Sequence, residues 1–314
     1  MRSRKKPMFI STDLKYQKLK RKYYIVTSVF ALLILGNLYY IYLNYDYLVF
    51  KHLISQNYIY TDSLDKLYEK ELKRDIDGRY YKYFDNLVIS IVTREIRQEQ
   101  NDRYTYQYLP EQYKKSKENE KKEAEKSSID VLGDNIVYLK ITNYSKHTKK
   151  FMKQQKDTLE KYPNIIIDLR DNPGGDVAVL NYMSGLFLPE DKIISYDNTR
   201  SKLFTKTVKS KNKQELIYDN IIILQDNNTA SSAEGFIAAL KDNLDNVVLI
   251  GDTSYGKGTG QLTMKLKNDF AVKATVMLWN TPKNNNIQGT GIEPDIKYNN
   301  EDIIDYAVKY INEK

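Results

Sequence analysis

Three short runs dominate the second half of the chain: NIIIDL (164–169), NIIIL (220–224) and NVVLI (246–250). Each is an unbroken stretch of mostly β-branched apolar residues, too short for a helix and without polar alternation. That pattern predicts strands buried on both faces. A strand covered on both sides needs helices above and below it, and helical spacing supplies them between the runs. It appears in residues 147–162, at about 176–187 and in SAEGFIAALKDN (232–243). With a further strand at 135–141, the order is strand, helix, strand, repeated, which predicts an α/β fold with a mostly parallel sheet and right-handed crossovers. QLTMKL (261–266) and FAVKATVML (270–278) read as further strands, and 302–311 as a closing helix. In such a sheet the loops after the C-terminal strand ends gather on one edge, where ligands bind. Three glycine- or serine-bearing loops fall there: RDNPGGD, DNNTASS and GDTSYGKG.

The chain has no cysteine and only two histidines, His52 and His147. A thiol nucleophile, a disulfide framework and a thiolate zinc site are excluded, and a histidine-rich metal site is too. The net charge of +8 suggests a nucleic-acid partner until its distribution is considered. Residues 1–22 carry nine of the 49 Lys and Arg and one of the 41 Asp and Glu, so the remaining 292 residues balance at 40 against 40. No nucleic-acid partner is expected.

The basic tail has another explanation. Residues 23–45, YYIVTSVFALLILGNLYYIYLNY, contain no charged residue. At 1.5 Å per residue they are long enough for a hydrocarbon core of ~30 Å, and tyrosines cluster at both ends as in interfacial belts. The run is long for a cleaved signal peptide, and no small-x-small site succeeds it. The expectation is a single-pass anchor in the cell membrane, N-terminus cytoplasmic, with everything after Asp46 outside. Residues 46–110 then read as a helical region, with helical spacing in 63–76 and 84–98. Residues 111–128, EQYKKSKENEKKEAEKSS, read as a charged linker or exposed helix that builds no core. The domain carrying the chemistry is expected over 129–314.

Within it, Ser231 and Ser232 stand on a turn between strand and helix, the place for a nucleophile, yet no histidine lies nearby. Lys257 is the candidate base. Serine needs a neutral amine, and burial lowers a lysine pKa from its usual ~10.4. Gln261, four residues on, is placed to orient that amine. Ser231-Ser232-Ala233-Glu234 also fits a helix capping box, S-x-x-E, which gives Ser231 a purely structural role. Gly174 and Gly175 fit an ordinary turn, or a bare backbone donor beside a substrate carbonyl. GDTSYGKGT imitates a phosphate-binding loop, but Gly258 replaces the hydroxyl that holds Mg²⁺, and the next residues alternate like a strand. Nucleotide binding is therefore disfavoured.

NIIIDLRDNPGGD, NNTASSAEGFIAAL, VVLIGDTSYGKGTGQ and GTGIEPDI occur in the order found in the C-terminal processing peptidases, or tail-specific proteases, and the chain resembles that family over about 129–300. DRYTYQYLP (102–110) is similar to a segment that precedes the family's PDZ domain. The resemblance implies a ClpP/crotonase-like core and a serine–lysine peptidase acting on a protein or peptide substrate without a cofactor. It implies Ser231 as nucleophile, Lys257 as general base and Gln261 as its support. The oxyanion donors it implies are the backbone N–H of Ser232 and that of Gly174 or Gly175. The family inserts a PDZ domain where this chain has residues 111–128, so substrate capture is expected to differ. A membrane-tethered binding protein with an inactive peptidase-like domain is the alternative reading.

Overall fold

The computed structural model describes residues 9–60, 81–99, 101–298 and 300–313. The helical spacing of 63–76 lies outside the described residues. Along the chain run helices α1 (Phe9–Leu43), α2 (Tyr45–His52) and α3 (Tyr81–Glu99), strand β1 (Tyr106–Tyr108) and helix α4 (Pro110–Ala124). Then come strands β2 (Ser128–Leu132) and β3 (Ile136–Lys140), helix α5 (Lys146–Leu159), strand β4 (Asn164–Asp168) and helix α6 (Val177–Phe187). Next are β5 (Ile193–Thr199), β6 (Lys206–Lys209), β7 (Asn220–Gln225), α7 (Ser232–Asn243) and β8 (Val247–Gly251). The chain continues through β9 (Thr259–Lys265), β10 (Ala271–Asn280), β11 (Ile296–Lys297) and α8 (Ile303–Asn312).

The three apolar runs are the centre of a six-stranded sheet ordered β11-β8-β7-β4-β3-β2. Every pairing from β11 to β3 is parallel, and only β2 against β3 is antiparallel. All five residues of β4 are buried, and the pleat divides them between two layers. Ile165 and Ile167 pack with α5, α6 and α7, while Ile166 joins Ile222, Leu224 and α8 on the other face. Each such isoleucine contributes roughly 1.5–3 kcal/mol of burial, which is why polar alternation is absent from these strands.

A second sheet was not expected from the sequence. It is antiparallel, with β10 at its centre between β9 on one side and β1 and β5 on the other, and β6 beyond β5. Sequence had marked β9 and β10 as strands but not as a separate layer. β5, ISYDNT after its first isoleucine, carries too many polar residues to stand out.

Of the two readings of the charged stretch 111–128, linker or exposed helix, the structure shows the helix. Residues 110–124 form α4, and β2 starts at Ser128. The helix has almost no apolar face, so hydrogen bonds seat it: the Asn143 side chain donates to the Glu120 carbonyl at 2.7 Å, and the Thr142 hydroxyl donates to the Glu123 carbonyl.

At the N-terminal end, α1 spans 35 residues and is long and apolar enough to cross a membrane; its apolar side chains are covered by no other described part of the protein. The helix reaches further into the basic tail than expected and stops at Leu43. From α2 the chain enters a small core in which Phe50, Leu53, Ile54 and Tyr58 pack with Ile89 and Ile96 of α3 and with Leu266, Val272 and Ala274. Lys267, on the turn between β9 and β10, fastens the exit of α1. Its backbone N–H donates to Asp46 at 2.7 Å and its ammonium to the Tyr42 carbonyl.

Candidate functional site

The loops after β4, β7 and β8 meet at one edge of the parallel sheet, as the strand directions require. Asp226 ties the first two together. Its carboxylate accepts from the Asp171 backbone N–H at 3.1 Å, and Asn228 donates to Asp171 at 2.8 Å. The Ala230 N–H donates to the Asn172 carbonyl at 2.9 Å. The Tyr255 N–H donates to the Thr229 carbonyl at 2.9 Å, joining the third loop.

Ser231 occupies the last position before α7, with φ 56° and ψ −117°. A helix cap normally sits in the extended region. A serine at positive φ is strained, and such strain is retained where surrounding contacts over-determine it. Gly174 is one of those contacts. At φ +88° it lies so close that a Cβ there would come within 2.6 Å of the Ala230 carbonyl and 2.8 Å of Ser231 Cβ. No side chain fits between the glycine loop and the serine turn.

The two candidate oxyanion glycines differ in their partners. The Gly174 N–H donates to the Asn172 side chain at 2.9 Å. The Gly175 N–H has no acceptor among the described residues. Ser232 N–H, at the first position of α7, has no acceptor four residues back within the helix, while the Ser232 hydroxyl donates to the Gly175 carbonyl at 2.9 Å.

Glu234 is the residue whose role the sequence left hidden. Its side chain is fully buried, and it accepts four hydrogen bonds. One oxygen takes the Ser231 N–H at 2.7 Å and the Lys257 N–H at 2.9 Å. The other takes the Ser254 hydroxyl and the Gly256 N–H, both at 2.6 Å. The capping-box bond from Glu234 to Ser231 N–H is therefore real, but the same carboxylate also fixes the lysine loop. The spacing S-x-x-E was the only signal, and it reads equally well as a helix start.

The GTGIEPDI segment props the lysine loop from behind. Ile292 N–H donates to Ser254 at 2.8 Å, and Gly289 N–H to the Gly256 carbonyl at 2.9 Å. From the second sheet, the Trp279 indole donates to the Lys257 carbonyl at 3.1 Å. The residues after Gly258 enter β9, a strand, so no helix N-terminus is offered to a phosphate.

The Lys257 amine lies over the Tyr104 ring, 4.7 Å from its centroid. Burial holds its pKa down, to about 8, and the cations of Lys273 and Arg103 push the same way against Glu234 and Asp102. An amine so poised is neutral often enough near physiological pH to accept a hydroxyl proton. Among the described residues no hydrogen bond joins it to the Ser231 hydroxyl in this structure. Among the described residues no hydrogen bond joins Gln261 to the amine either. Its side chain donates to Thr259 at 3.1 Å and Thr275 at 3.4 Å. Thr275 in turn donates to Asp102 at 3.1 Å, and Asp102 accepts the Tyr104 N–H at 3.0 Å. Gln261 thus reaches the lysine through the segment that carries Tyr104.

Among the described residues no group of three or more His, Asp or Glu side chains is arranged for a metal ion. The site is a strained serine, a lysine of lowered pKa and free backbone donors on three converging loops.

The chain is 36% identical over 176 residues to the carboxy-terminal processing protease CtpA of Bacillus subtilis, covering 55% of this chain and 36% of that protein. It is 39% identical over 132 residues to the chloroplastic carboxyl-terminal-processing peptidase 1 of Arabidopsis thaliana, covering 42% of this chain and 27% of that protein. The matches thus span about a third of the length of these relatives. In fold it is similar to a lipoprotein of Streptococcus agalactiae, with a TM-score of 0.64 at 18% identity, over 86% of this chain and 96% of the other. Residues 135–298, more than half of the chain and including all three loops, match peptidase family S41, and the chain belongs to that family.

Proposed function

We propose that the protein is a serine endopeptidase with Ser231 as nucleophile and Lys257 as general base. Its substrates are extended or unfolded segments of exported proteins. The observation that carries the reading is the Glu234 carboxylate, one oxygen of which binds the backbone N–H of both residues at 2.7 and 2.9 Å. Two residues 26 positions apart in sequence are held in one frame by a buried charge.

In the proposed reaction neutral Lys257 takes the proton from the Ser231 hydroxyl as its oxygen attacks the peptide carbonyl. The oxyanion of the tetrahedral intermediate accepts from the Ser232 N–H and from the Gly175 N–H, which Asn172 leaves free by engaging Gly174 instead. Backbone donors of this kind are worth roughly 10²–10³ in rate each. The lysine ammonium then protonates the leaving amine, and the neutral amine activates water against the acyl-enzyme. Gln261 supports the base at one remove, through Thr275 and Asp102. Acyl transfer from the peptide to serine and on to water, with lysine carrying the proton, needs no metal or cofactor.

The chain is further proposed to be anchored by α1 as a single-pass membrane protein, its basic tail in the cytoplasm and the catalytic domain outside. The exposed apolar surface of α1 and the basic residues preceding it support this.

One observation favours a binding protein with an inert site instead: the lysine amine rests on Tyr104 rather than on Ser231. Cleavage of a denatured protein substrate by the purified full chain separates the two. Wild type is expected to cut, with kcat/KM rising as pH passes through about 8, and Ser231→Ala and Lys257→Ala are expected to lose at least 10³-fold, the scale of losing a catalytic serine or its base. Equal cleavage by all three would reject the site; no cleavage by any would favour the binding role.

A further inference from the structure

Residues 102–104 lie 150 positions from the lysine loop in sequence, yet they form a wall of the site. Tyr104 and Tyr255 hydroxyls approach to 3.5 Å, and the Arg103 guanidinium sits 5.2 Å from the Tyr104 centroid and 5.1 Å from that of Tyr255. The Lys257 amine takes a place over Tyr104 at 4.7 Å, and among the described residues it has no hydrogen-bond acceptor or carboxylate partner. Of those residues, the ring alone receives it.

The backbone of Tyr104 is anchored through Asp102. Asp102, buried, accepts its N–H at 3.0 Å, the Thr105 hydroxyl at 2.6 Å, the Thr275 hydroxyl at 3.1 Å and the Tyr58 hydroxyl at 3.2 Å. Two residues further on, Tyr106 pairs with Lys273 in the sheet. A ring whose backbone is anchored in this way, and whose face receives the amine of a catalytic candidate, calls for a role beyond packing.

We propose that Tyr104, with Arg103 stacked on it, is a positioning residue for the Lys257 amine: the ring face holds the amine in the resting protein and releases it toward Ser231 when it acts. The proposal rests on the reading of Lys257 as general base and adds a control to it. A ring face attracts an ammonium through its quadrupole, and a neutral amine far less. The protonated lysine therefore stays on Tyr104, where it is harmless to Ser231. Once the proton is lost, the flexible four-carbon stem is free to turn toward the serine hydroxyl. The charged and titratable groups facing this amine are Arg103, Asp102 and Tyr104 before β1, Glu234 on α7, Tyr255 on its own loop and Lys273 on β10. Burial pushes the Tyr104 phenol up to about 12, so it stays neutral throughout the working range. Ring and guanidinium oppose one another: Tyr104 favours the ammonium, and Arg103 disfavours it.

The opposition gives the test its signs. The pH dependence of kcat/KM on a denatured protein is measured for wild type, Tyr104→Phe, Tyr104→Leu, Arg103→Gln and Lys257→Ala. Tyr104→Leu keeps an apolar wall but removes the ring, so the acid limb is expected to move down by about half to one pH unit. Tyr104→Phe keeps the ring and is expected to leave the limb at the wild-type pH. Arg103→Gln removes a cation at an exposed position and is expected to move the limb up. A limb unmoved or raised in Tyr104→Leu, or lowered equally by Phe and Leu, overturns the proposal. If Tyr104→Leu does not fold, Arg103→Gln decides, and an unmoved limb there overturns it. Lys257→Ala is expected to be inactive. Should it cleave like wild type, the base assignment fails, a result distinct from an unshifted limb in the Tyr104 variants.

Discussion

At Glu234 a single carboxylate is shared by four donors from two loops, and its charge matters as much as its shape. Each hydrogen bond to a buried charged group contributes roughly 1.5–3 kcal/mol. Glutamine keeps the volume but turns an N–H₂ toward donors that need an acceptor. Glu234→Gln is therefore expected to destabilise the fold by about 3 kcal/mol and to abolish cleavage, whereas a mere helix cap would lose about 1 kcal/mol. Urea denaturation distinguishes these values, and a loss near the lower one would reduce Glu234 to a cap. The residue was plainly visible in the sequence. Its second loop was not, because a spacing rule covers neighbours along a helix and says nothing of a backbone 23 residues away. Tyr104 was out of reach for the same reason, whereas residue type, the shortage of histidine and the flanking glycines marked Lys257 and the serine pair as candidates, and the family resemblance chose Ser231 between the two.

Among elements, the parallel sheet was readable and the antiparallel one was not. NIIID and NIIIL are buried on both faces, so their composition carries the fold almost alone. β5 and β2 are only partly buried and mix polar with apolar residues, and α4 buries so little that its sequence resembles a solvated tract. The contact between the glycine loop and the serine turn is equally hard to infer, since it exists only when β4 and β7 lie side by side. It makes a sharp prediction. Gly174→Ala places a methyl group 2.6 Å from the Ala230 carbonyl at a φ of +88°, so the two loops must part. A loss of about 1–3 kcal/mol is expected, together with at least a hundredfold loss of kcat if the Ser231 turn relaxes. Wild-type kcat in a folded Gly174→Ala protein would show that the serine does not depend on this contact.

For the whole molecule, the sequence marked the part of α1 from Tyr23 onward by its missing charges, and the proposed orientation comes from the basic residues of 1–22, which partly lie within the same helix. In intact cells, externally added protease is expected to digest the domain beyond residue 46 and to spare the basic tail; full protection of the domain would reverse the orientation. The junction beyond α1 bears on reach. Many tethered enzymes hang from a slack chain and sweep a volume around their anchor. Here Leu43 gives way to α2 after one residue, Phe50, Leu53 and Ile54 are already packed against the sheet, and Lys267 grips Tyr42 and Asp46 at the exit. Between the first helix and the layer that carries Gln261 and Trp279 there is no leash. With α1 as the proposed anchor, the candidate site would ride at a set height and attitude above the lipid, so a target would have to be brought to it, and chain segments emerging close to the same membrane would be the ones placed to arrive.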